Sequence, residues 1–140
     1  MPHARRVVRA NLHLTIAFIG DMDPEPAARV AARLRRLQVD AFTWAIDKLG
    51  VFAGARVAWA GGRAPAELLA LVGAVQDLLA EESVRFDRRP YVPHVTLLRQ
   101  LPRATPGLAR AIDPPVLWTV RAPVLLHSAS GRYVEVAPAG

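Results

Sequence analysis

The chain has 140 residues, a formal net charge of +6, 52% hydrophobic residues and no cysteine. That length and apolar content fit one folded domain with a real core and exclude an intrinsically disordered chain. The lack of cysteine excludes disulfide frameworks and thiolate metal sites, and no apolar run approaches the length of a membrane-spanning helix.

The charge is almost wholly arginine, Lys48 being the single lysine. Guanidinium groups suit bidentate phosphate recognition, so the balance is compatible with RNA or a nucleotide without identifying either. The start of the chain has no basic segment followed by a long apolar stretch, so a cytoplasmic location is expected.

In chain order, Leu12, Leu14, Ile16 and Phe18 alternate with His13, Thr15 and Ala17. The alternation predicts a strand with one core face and one functional face, closed by Gly20. Asp23 as N-cap and Pro24 at the first helical position open a helix through Ala27, Val30, Ala31, Leu34 and Leu37. Phe42, Trp44 and Ile46 predict a second strand. Gly50 to Gly54 reads as a turn, and Arg56 to Ala60 as a third strand stopped by Gly61 and Gly62. Pro65 and Glu67 start a second helix through Leu68, Leu71, Val72, Val75, Leu78 and Leu79. Arg85 to Pro90 is a basic connector, and Tyr91 to Leu98 a further strand. Thr105 and Pro106 read as the cap and first residue of a short helix ending at Ile112. Leu117 to Leu126 and Arg132 to Val136 predict two strands joined by a Ser130-Gly131 turn. Strands interleaved with two main helices imply an α+β fold with largely antiparallel sheet.

Two segments repeat one chemistry: His13-Leu14-Thr15 and His94-Val95-Thr96. Residues two apart on a strand point the same way, so each segment offers an imidazole beside a hydroxyl. Neutral and protonated imidazole coexist near neutral pH, so two histidines can act as base and acid in one turnover. The hydroxyls of Thr15 and Thr96 are placed to hydrogen-bond phosphoryl oxygens. No metal ligand set and no cofactor are called for. His3 and His127 lack a threonine two positions on and are set aside. Trp44, Trp59 and Trp118 read as core. Phe52, Tyr91 and Tyr133 are weaker candidates for stacking on a base. Arg56 and Arg132, with the Arg5-Arg6 and Arg88-Arg89 pairs, read as solvated surface, the alternative being contact with an RNA backbone. Asp21 and Asp23 read as turn and cap residues.

With these residues in place, the chain resembles the 2H phosphoesterases, and within them the LigT-like RNA 2′,3′-cyclic phosphodiesterases. The resemblance rests on Asn11 to Thr15, on Val51 to Gly54 with Val57 to Gly61, on Pro93 to Arg99, and on Leu125 to Val136 with Ser128, Gly131, Arg132 and Tyr133. It implies a single bilobal α+β domain over residues 1–140, two pseudo-symmetric halves with antiparallel sheets and a central cleft. It also implies that His13 donates a proton, His94 accepts one, and Arg99 adds positive charge beside the phosphoryl group. The implied substrate is RNA with a 2′,3′-cyclic phosphate end, or a small cyclic nucleotide. The implied product is a 2′-phosphomonoester. The alternatives are 2′–5′ RNA ligation at the same groups and a catalytically weak nucleotide- or RNA-binding module. Two departures stand out. Ala53 occupies a position where the family often has proline. Family members usually carry a strand and a helix before the first motif, whereas Met1 to Ala10 is too short for both. The expectation is a truncated chain, a misassigned start or a gap filled another way; missing elements would leave a sheet edge uncovered, through which a homodimer could form.

Overall fold

Antiparallel pairing organises most of the strands. In the computed structural model, which describes residues 4–103 and 109–139, a five-stranded sheet has the order β1-β4-β3-β2-β5. Its strands are β1 (Arg5–Arg6), β2 (Phe42–Phe52), β3 (Val57–Gly61), β4 (His94–Arg99) and β5 (Arg110–Val120). A separate hairpin joins β6 (Leu126–Ala129) to β7 (Arg132–Glu135). The helices are α1 (Pro24–Arg36) and α2 (Ala66–Glu81). The architecture is therefore α+β. Among the described residues, no helix is long and apolar enough to cross a membrane.

Both helices follow their apolar spacing. In α1, Val30, Ala31 and Leu34 are buried, and in α2 Leu68, Leu71, Val72, Val75, Leu78 and Leu79 are. Asp23 begins α1 through its main chain, its carbonyl accepting from the Ala27 N–H, rather than through a side-chain cap. Helix α2 ends in a Schellman motif: the Ser83 N–H donates to Ala80 O and the Val84 N–H to Leu79 O. The turning residue, Ser83, sits at φ 57° in the left-handed region where glycine is usual. Arg33 donates to Glu81 and Glu82, which joins α1 to the end of α2.

The structure corrects four readings. Residues 12–18 form no ladder strand. The outer edge of β4 is already taken, by β1 through Arg5↔Arg99 and Arg6↔Leu98 and by the Val7 N–H donating to Leu97 O. Arg9–Asn11 then coil into a 3₁₀ turn, and a bridge between Ile19 and Phe86 follows the segment. The expected core face is broken accordingly, Phe18 being 70% exposed. Gly50 continues β2 instead of opening a turn; the turn is 53–56. The short helix expected from Thr105 falls mostly on 104–108, outside the described residues, and Arg110–Ile112 lie in β5. The run from Leu117 to Leu126 is split, with β5 ending at Val120 and β6 starting at Leu126. The Ser130-Gly131 turn does join the final hairpin. Its φ values of 52° and 76° fit a type I′ turn, which needs positive φ at both central positions.

Among the described residues, the segment before the first motif holds a two-residue strand and one 3₁₀ turn. The edge strand β1 is short and doubly charged, a form that resists pairing with another chain.

The chain divides into two compact units. One comprises Met1–Thr15, Thr43–Ala64 and Val92–Trp118, and the other Ile16–Phe42, Pro65–Tyr91 and Thr119–Gly140. In the first unit, Trp44 is fully buried, its ring lies 6.0 Å from that of Trp118, and its indole N–H donates to Gly62 O. The second holds both helices and the β6–β7 hairpin.

Candidate active site

His13, Thr15, Phe52, His94, Thr96 and Arg99 all fall in the first unit. The two histidines share one local device. The Nδ1 of His13 lies 2.7 Å from Asn11 O, and that of His94 lies 2.7 Å from Val92 O. A carbonyl oxygen only accepts, so each Nδ1 carries a hydrogen and donates it to the main chain two residues back. This fixes the tautomer, making Nε2 the nitrogen that accepts or releases a proton. A backbone carbonyl thus helps orient each ring. The device recurs although His94 begins a sheet strand and His13 follows a 3₁₀ turn.

β4 pairs with β3 through Gly61↔His94, Ala60↔Val95 and Trp59↔Thr96. His94 and Thr96 therefore share a face with Trp59 and Gly61, while Val95 is buried on the other. Strict alternation would put Arg99, five residues after His94, on that other face. A register shift intervenes: Ala58 pairs with Leu98, leaving Leu97 as the extra residue. The bulge returns Arg99 to the face of His94 and Thr96. Arg99 is exposed there, and Thr15 and Thr96 are half-buried.

His94 is also enclosed by aromatic rings. Phe52 meets it edge-on, centroids 5.0 Å apart at 90°, and Trp59 lies 6.4 Å away at 64°. Phe52 and Trp59 stack at 5.2 Å. The indole needs Gly50 beneath it, since a Cβ there would stand 2.2 Å from Trp59 Cζ2. Phe52, a weaker candidate for base stacking, is half-buried and packs on both rings. Trp59, read as core, is half-buried beside His94. Its position opposite Thr96 was a usable signal, but only once the strand register was known.

Arg5, Arg6 and Arg56 also fall in the first unit, whereas Tyr91, Tyr133, Arg132 and the Arg88-Arg89 pair lie in the second. Tyr133 is on β7 opposite Ser128. Tyr91 is half-buried, and desolvation pushes its hydroxyl above the ordinary phenol range. Arg88 lies over the Phe86 ring, 4.5 Å from its centroid, in an open cavity of about 420 Å³ that holds neither His-x-Thr segment. Arg89 chelates Asp87, and its guanidinium holds that carboxyl down at about 2. Among the described residues, no group of three or more His, Cys, Asp or Glu is placed to hold a metal ion.

The α+β fold thus carries two histidines, each tethered to a backbone carbonyl and each followed two residues on by a threonine. Residues 2–132 match the family model of the 2'-5' RNA ligase superfamily, and the chain belongs to that family. It is 35% identical over 105 residues to the RNA 2',3'-cyclic phosphodiesterase of Escherichia coli strain K12, an alignment covering 74% of this chain and 60% of that protein. The chain thus spans about three-fifths of the length of that curated relative. Among solved structures, one described as a phosphoesterase matches with TM-score 0.65 and 28% identity, over 98% of this chain and 79% of that one. E. coli LigT complexed with 3'-AMP matches with TM-score 0.64 and 28% identity, over 94% and 76%.

Proposed function

We propose that this protein hydrolyses a 2′,3′-cyclic phosphate at an RNA end to a 2′-phosphomonoester, by proton transfer between two histidines. The observation that carries the reading is the pair of matched imidazoles, each with Nδ1 bound to the carbonyl two residues back and a threonine two residues on. The names of the E. coli relative and of the superfamily support the substrate class.

In this reaction His94 starts neutral and His13 protonated. A water oxygen attacks phosphorus while His94 Nε2 takes one of its protons. The bond from phosphorus to the ribose 3′ oxygen breaks, and His13 supplies the proton that leaves a 3′ hydroxyl. Each proton transfer contributes about 10²–10⁴-fold. Thr15 and Thr96 donate to the non-bridging oxygens, and Arg99 offsets the charge that grows on them. The assignment of donor and acceptor follows the family resemblance. Exchange of protons with solvent then restores both rings.

The partners in this reading are an RNA end or a small cyclic nucleotide, met in the cytoplasm. A homodimer would have to build on the Arg5–Arg6 edge. Sedimentation at twice the chain mass would support it, and a single-chain mass would remove it.

The test is product analysis. The enzyme is incubated with an oligonucleotide bearing a 2′,3′-cyclic phosphate and, separately, with mononucleotide 2′,3′-cyclic phosphates. A 2′-phosphate product from either is expected. A 3′-phosphate product would reverse the leaving group. Binding without turnover would favour an RNA-binding module. Formation of 2′–5′ joined strands would favour ligation, which the superfamily name raises.

A further inference from the structure

We propose that Trp59 is a positioning residue for His94, completing with Phe52 an aromatic wall that holds the imidazole in its working tilt. This rests on the hydrolytic reading of the site. The His94 ring is tethered at two points: Cβ, and the Nδ1 hydrogen bond to Val92 O at 2.7 Å. One soft motion remains, a rocking about the line through those atoms, and it swings Nε2. Phe52, perpendicular to the ring at 5.0 Å, stands against that motion. Phe52 lies at the last position of β2 and is backed by Trp59, stacked on it at 5.2 Å and 30°. Trp59 sits in the middle of β3, directly opposite Thr96, over a strand position that carries no side chain.

A second observation separates this role from plain core filling. The Trp59 Nε1 is buried and has no hydrogen-bond partner among the described residues. A buried unpaired donor is destabilising, and phenylalanine would fill an apolar site without it. Keeping an indole there puts its extended ring, which reaches both Phe52 and His94, ahead of stability.

The test uses Trp59→Leu and Trp59→Phe, with two readouts: steady-state kinetics on a 2′,3′-cyclic phosphate, and NMR relaxation of the His94 ring. In Trp59→Leu, kcat falls on the order of 10–100-fold with KM within about twofold, because misplacing a reacting group costs rate more than binding. The order parameter of the His94 ring falls with it. Trp59→Phe, with the unpaired donor removed and the ring shortened, is more stable yet keeps only part of both, and carries the test if the leucine variant does not fold. A folded variant with an unchanged His94 order parameter overturns the proposal, whatever its kinetics. If the wild type hydrolyses no cyclic phosphate, the hydrolytic reading fails, and the relaxation measurement still decides the role of Trp59.

Discussion

Replacing Gly50 with alanine tests how tightly the wall beside His94 is built. The added Cβ would lie 2.2 Å from Trp59 Cζ2, 2.6 Å from Cε2 and 2.7 Å from Cη2. Ordinary carbon contacts lie at about 3.5–4.0 Å, so the shortfall is roughly 1–2 Å against three atoms of one rigid ring. The indole cannot slide away freely, because Phe52 is stacked on it. Overpacking of this kind costs about 1–3 kcal/mol. Three contacts this short place the cost in the upper half of that range; a strand alanine returns about 0.5–1 kcal/mol relative to glycine, leaving a net loss of about 1–2.5 kcal/mol. For a domain of this size, that lowers Tm by roughly 3–8 °C, readable by calorimetry or circular dichroism. Activity falls further than stability does, because the displaced indole bears on Phe52 and His94. In a Trp59→Leu background the same alanine clashes with a smaller, flexible side chain. The double-mutant cycle then shows a coupling of about 1 kcal/mol or more. A Gly50→Ala protein with wild-type Tm and wild-type turnover would refute the packing argument.

Other outcomes follow from separate parts of the molecule. Ser83→Gly relieves the left-handed strain at the end of α2 (φ 57°) and stabilises the protein by about 1 kcal/mol, measured by urea denaturation. Asp87 is held near 2 in the folded protein, below its ordinary carboxylate value of 3.8, chiefly by the Arg89 side chain. Its contribution to stability is therefore complete above about pH 4 and is lost as pH falls towards about 2. The Tm difference between wild type and Asp87→Asn closes across that window, and a difference constant from pH 5 to pH 2 would contradict the pairing. The rate of cyclic phosphate hydrolysis gives a bell-shaped pH profile, because one imidazole must be neutral while the other is charged. A profile flat from acid to alkaline pH would count against paired histidines.

The features legible in the sequence are those written in side-chain pattern. The α1 and α2 faces follow helical spacing, and all six buried α2 residues are positions where that spacing places apolar side chains. The His-x-Thr pair is visible because its chemistry is local. What escaped is held in the main chain or between strands. The carbonyls of Asn11 and Val92 that fix both tautomers have no sequence signature, since every residue carries a carbonyl. The alternation at residues 12–18 is a fair strand signal. It is overridden by competition for an edge, because Arg5–Arg6 already pair with β4 there. The bulge at Leu97 that puts Arg99 on the same face as His94 depends on how β3 and β4 align, which neither strand states alone. The same holds for Gly50: as a lone glycine it suggests a turn, and only the ring opposite it shows why a side chain is absent.

In the proposed reaction His13 and His94 act together on one phosphoryl group. Initial rates of wild type, His13→Ala, His94→Ala and the double variant on an RNA carrying a 2′,3′-cyclic phosphate test it most directly. Each single variant is expected to lose at least about 10²-fold in kcat. The double variant should lose far less than the product of the two, because the histidines work as a unit. Wild-type activity retained in either single variant, or background hydrolysis by the wild type itself, would contradict the account.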